Sequence, residues 1–150
     1  MNTESELQAK HNAAVECFKD AEWAEETALK KRNEKQALAQ ETQKGTKEYY
    51  LAWAEVWNAE VVLLEKKEQR CGAAFTRNSW YADCMKYRYG TDSKEAQIAQ
   101  HRAELSRTME FVYTNCSPYW TKWDKLYDKA ECVWDQLVAE GYDNVTGKLE

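Results

Sequence analysis

An all-α fold is predicted by three features of the sequence: few helix breakers, apolar residues recurring every three or four positions, and breaks that coincide with capping residues. The 150 residues include one proline and five glycines, so elements should be few and long. An all-β domain would need many more turns. Charged residues form 31% of the chain and alternate in sign, which is the pattern of solvated helix faces and not of a disordered tail. The expected architecture is a single domain, 1–150, built as an antiparallel bundle of four helices. Two are long (about 3–44 and 46–89) and two short (about 93–115 and 117–140).

The helix over 46–89 organises the rest. Tyr50, Trp53, Trp57, Val61 and Leu64 fall on one side of it, and Tyr49, Val56 and Leu63 form a neighbouring line. Further along, Trp80, Cys84 and Tyr87 lie beside Cys71, Phe75, Ala82 and Met85. A helix that is apolar on more than one side has to be covered on more than one side.

The first helix opens on Thr3 and Glu6, which have the spacing of a capping box. Leu7, His11, Ala14, Phe18, Ala21 and Ala28 make a thin, alanine-rich stripe, in which Glu25 and Arg32 stand where apolar residues are expected. Trp23 points to the water side. Gly45 suits a left-handed helix end and Thr46 an N-cap. So short a connection turns the second helix back on the first. Between Gly90 and Ser93 lies the next break, with Asp92 or Ser93 as cap and Glu95 as the capping-box partner of Asp92.

The third helix carries Ile98, Leu105, Met109 and Val112 on its apolar side. Ser117-Pro118 starts the fourth, since proline suits the first helical position. Its stripe is Trp123, Tyr127, Ala130, Trp134, Leu137 and Val138; Gly141 ends it, and 141–150 is expected to be a loose tail. At 1.5 Å per residue the long helices reach roughly 60 Å and the short ones about half that. The expected arrangement is a four-helix part from about 3–24 and 68–140, with a projecting two-helix arm of about 25–67.

A net charge of −5 weighs against general nucleic-acid binding. The basic cluster Lys30-Lys31-Arg32 followed by Lys35 is interrupted by Glu34 and flanked by Glu25, Glu26 and Glu41, so it reads as a solvated face. No apolar run approaches the ~20 residues that span a bilayer. The opening Met-Asn-Thr-Glu-Ser-Glu-Leu reads as neither a signal nor a transit peptide, which makes an intracellular location the default expectation. The sequon Asn144-Val145-Thr146 matters only for a secreted chain.

His11 and His101 lie on different helices with no ligand at metal-binding spacing. There is no Glu-x-x-His, no glycine-rich phosphate loop and no Gly-x-Ser-x-Gly elbow. The carboxylates sit next to Lys or Arg, and nothing marks a pair for acid–base work. No catalytic, cofactor-binding or metal-binding residues are expected, and the chain is read as a non-enzyme.

The expected function is that of an interaction or assembly protein, a structural or accessory subunit. Trp23, Tyr49, Trp53, Val56, Trp57, Leu63, Leu64 and Trp80 are the expected contacts with another polypeptide, either a second copy or a different subunit. The alternative is a secreted or effector-like bundle holding a small apolar ligand or a target protein, with a cavity lined by Trp57, Trp123 or Trp134. Five cysteines occur without a Cys-x-x-Cys. In an oxidising compartment, counting along the helices pairs Cys71 with Cys116 and Cys84 with Cys132, leaving Cys17 free. Cys84 and Cys132 are both expected to point away from their core stripes. In a reducing compartment all five act as small buried hydrophobes.

Overall fold

The computed structural model describes residues 3–111, with side chains as far as 108, and these residues are helical with no strand among them. The helices are α1 (Glu4–Gln40), α2 (Lys47–Tyr89) and α3 (Lys94–Phe111). The expected fourth helix over 117–140 and the tail lie outside the described residues.

Each described helix begins at a side chain that satisfies a free amide. The Thr3 amide donates to Glu6 Oε2 at 3.1 Å and the Glu6 amide to Thr3 Oγ1 at 3.2 Å, closing the capping box. Thr46 Oγ1 accepts from the Tyr49 amide at 3.2 Å. Ser93, and not Asp92, caps α3, its Oγ accepting from the Ala96 amide at 3.1 Å. Helix α1 stops at Gln40, earlier than expected. There the Glu41 and Thr42 amides bond to the carbonyls of Leu38 and Ala39, at 3.2 Å each. The Thr42 hydroxyl also donates to the Ala39 carbonyl at 2.6 Å. These bonds tighten and close the last turn. Gly45 then takes φ +86°, and Gly90 beyond α2 takes +95°. Both lie in the left-handed region where a Cβ is costly.

The described residues divide into two compact units, one of 3–25 with 66–111 and the other of 26–65. In the first, Arg88 Nε bonds Glu4 Oε1 at 3.1 Å, His11 and Tyr81 rings lie 5.5 Å apart, Arg77 covers the Phe18 ring at 4.0 Å, and Arg70 pairs with Glu25. Partners rise along α1 as they fall along α2, so the two run in opposite directions here. Helix α3 runs back along α2 in the same way: Asn78 Nδ2 donates to Ser106 Oγ at 2.7 Å and Arg107 faces the Phe75 ring at 6.0 Å. Leu7, Ala82, Cys84, Met85, Ala96 and Ala99 form the core, with Trp80 packed against it.

Two expectations are corrected in this unit. Ala96, Ala99 and Ala103 are 0%, 2% and 3% exposed, whereas Ile98 and Leu105, the expected packing residues, are 45% and 61% exposed. The small side chains at these positions let α3 approach α2 closely, because helix separation follows the side chains at the contact. Cys84 is buried within the core instead of pointing away, since the alanine face of α3 covers that side of α2.

In the second unit Ala28, Ala39, Ala54, Val56, Leu63 and Leu64 are buried. Arg32 Nη1 pairs with Glu60 Oε1 at 2.8 Å and Lys35 Nζ with Glu55 Oε2 at 3.0 Å, again in opposite order along the two helices. These pairs explain the charged residues in the α1 stripe. Arg32 meets Glu60 just as Glu25 meets Arg70 in the first unit.

Candidate functional site

Helical spacing sets Tyr49, Trp53 and Trp57 in a row on α2, and their rings form a ladder. The Tyr49 and Trp53 centroids are 6.1 Å apart and those of Trp53 and Trp57 5.7 Å, with Tyr50 edge-on to Tyr49 at 5.6 Å. These tilted arrangements are the ones ring quadrupoles favour. All four residues are half-buried. Among the described residues the Trp53 indole N–H is enclosed without an acceptor, and so is Nε of Arg32, whose Nη1 donates to Gln36 Oε1 at 3.2 Å.

Val56, Leu63 and Leu64 do not join such a surface. They are 2%, 3% and 3% exposed within the single chain, which corrects their expected role in partner contact. Their apolar line is covered from inside, so no surface is left to offer. Trp80 is half-buried as well, lying on the core with Lys10 Nζ 4.7 Å from its ring centroid. Trp23 alone of the eight is fully outward, at 68% exposure. It belongs with Trp80 to the first unit, and the other six belong to the second.

Among the outward residues that sequence reasoning missed are Ile98 and Leu105 on α3, along with Leu29, Leu38 and Val62. A signal for the α3 pair existed: Ala96, Ala99 and Ala103 repeat at the same helical spacing and compete for the packed face. Between Ile98 and Leu105 stands Arg102, exposed and without an ion pair among the described residues. Its neighbour His101 has Nδ1 3.7 Å from Glu104 Oε2.

The grooves are mixed in character. One of about 270 Å³ in the second unit is lined by Ala28, Lys31, Lys35, Glu55, Asn58 and Val62, among others. One of about 460 Å³ in the first unit runs beside Trp80, Lys10 and Cys17. Trp57 lines neither, and Trp123 and Trp134 lie outside the described residues.

Burial pushes the Cys84 thiol up, with Asp83 and Glu4 adding to the rise and Arg88 opposing it. Burial lowers the pKa of His11, helped by the Arg77 charge. Cys17 and Cys84 carry free thiols, Cys17 in the open. The expected bridges Cys71–Cys116 and Cys84–Cys132 each involve a residue outside the described ones. Among the described residues no three His, Cys, Asp or Glu are placed to hold a metal ion. No described helix is long and apolar enough to cross a membrane. Comparison with protein-family models, curated proteins and solved structures gives no match to this chain.

Proposed function

We propose that this chain is a non-catalytic helical interaction protein, a structural or accessory subunit that works through apolar side chains left outside its own packing. The observation that carries this reading is α3. Fully burying an isoleucine or leucine side chain contributes about 1.5–3 kcal/mol, yet α3 packs with alanines and leaves Ile98 and Leu105 in water. A helix selected only to complete the fold would place them the other way round. The outward Trp23 supports the same reading. The proposal includes a fourth helix over about 117–140 that completes an antiparallel bundle, supported by the Ser117-Pro118 start and the stripe from Trp123 to Val138.

The test is molar mass in solution by light scattering over a range of concentrations, with and without reductant, together with native co-purification. The expected result is a species heavier than the 17.6 kDa chain, or a companion protein in fixed ratio. Leu105→Glu should remove either one while leaving helicity unchanged. A single-chain mass at every concentration, with no companion in fixed ratio, overturns the proposal.

A further inference from the structure

We infer that the outer face of α3 receives an amphipathic helix of a different protein, one that carries a carboxylate between two apolar anchors. This rests on the interaction reading above and adds the chemistry of the partner. Ile98 and Leu105 are seven residues apart, so they stand two turns apart, about 10.5 Å, on the same face. That is the spacing at which one helix reads another through anchors at i, i+3 or i+4, and i+7. Arg102 is four residues after Ile98 and three before Leu105, which puts its guanidinium between the two anchor points.

Around this face the charges do not cancel. Glu104 lies with Oε2 3.7 Å from His101 Nδ1 and accepts at Oε1 from Gln100 Nε2 at 3.3 Å, and Lys94 and Glu95 carry opposite charges at the start of the helix. Arg102 remains as the central cation, exposed and without an ion pair among the described residues. A second copy of α3 would fit poorly. Laid antiparallel so that Ile98 meets Leu105, two copies set each Arg102 opposite the other's His101 and about 1.5 Å along the axis from the other's Arg102, and a parallel pair in register sets the two Arg102 side by side. Like charges facing each other disfavour a partner, whereas a carboxylate there gains a charge-assisted pair with a guanidinium suited to bidentate contact.

The experiment uses the full chain and a library of short helical peptides. Two leucines seven positions apart are fixed, and the intervening position that faces Arg102 is randomised. Selection on the wild-type chain should enrich Asp and Glu there, with roughly tenfold weaker binding for the Lys version of a selected peptide. Selection on Arg102→Glu should enrich Lys and Arg instead, with circular dichroism unchanged. Binding of the acidic peptides should weaken as salt rises. The inference is overturned if no peptide binds, if both chains select the same residue, or if the wild type forms a concentration-dependent dimer that Ile98→Glu dissolves. If Leu105→Glu abolishes a partner interaction and Arg102→Glu leaves its charge preference unchanged, the interaction reading stands and this inference fails.

Discussion

The first unit is closed largely by small side chains and the second by bulkier ones, and ion pairs between α1 and α2 occur in both. Between 3–25 and 66–111, buried alanines bring the helices together: Ala14 on α1, Ala82 on α2, and Ala96, Ala99 and Ala103 on α3. Rings and cations cover the outside of that contact, with Lys10 on Trp80 and Arg77 on Phe18. Between 26 and 65 the α2 side is large, with Val56, Leu63 and Leu64 buried, and α1 answers with Ala28 and Ala39. Its long side chains Arg32 and Lys35 reach across to carboxylates. A small-residue contact has no spare volume, whereas a large-residue contact has much volume to lose. The two units should therefore fail under opposite kinds of substitution.

The sharpest test of that difference is a pair of core changes. Leu63→Ala should destabilise the chain by about 2–5 kcal/mol, through lost burial and a cavity. Ala99→Leu, which adds volume where the alanine is 2% exposed, should cost about 1–3 kcal/mol. Chemical denaturation of each variant measures both. If Ala99→Leu is neutral, α3 does not sit tightly on α2, and the contrast between the units collapses.

What could be read in advance was local. Thr3 with Glu6, Thr46 and Ser93 signal helix starts through hydrogen bonds that span three residues, and no distant contact is needed to form them. The α1 stripe was legible for a similar reason, because Leu7 stands out among the polar residues from Asn2 to Gln8. The faces of α3 were not. Its alanine and Ile–Leu stripes share one period, and hydropathy favours the larger residues while close helix approach favours the smaller. Only the surface of α2 decides between them. The same limit applies to Val56 and Leu63, whose line on α2 looks equally apolar whether this chain or another covers it. Cys84 was misplaced because its burial depends on where α3 lies.

Within the second unit the two charge pairs differ in burial. Arg32 and Glu60 are only 25% and 14% exposed, so their pairing is partly withdrawn from water. Glu60→Lys should cost about 1–3 kcal/mol by leaving two enclosed cations face to face. The double exchange Arg32→Glu with Glu60→Arg should recover most of that loss, as contacting residues do in a double-mutant cycle. At the exposed Lys35–Glu55 pair, where the carboxylate is 49% exposed, the same exchange should barely register. Equal effects at the two sites would mean that charge does not set the register of the second unit.

The smallest expected effect belongs to the first unit and depends on pH. His11 lies against the Tyr81 ring at 5.5 Å, and its pKa is held below the ordinary 6.5, by burial first and by Arg77 second. The unfolded chain therefore binds more protons than the folded one between the lowered value and 6.5. Stability from this residue is complete above that ordinary value and is lost as pH falls through the folded one. Melting temperature should decline on acidification from pH ~7.5 to ~5.5, a window above most carboxylate titrations. His11→Gln should flatten the decline, since glutamine has no proton to take up. Arg77→Met should recover only part of the His11 shift in an NMR titration, because burial remains when the charge is gone. A His11 pKa at or above 6.5 in the folded chain would show that the imidazole is solvated, and that the α1–α2 contact at Tyr81 is looser than the 5.5 Å ring separation implies.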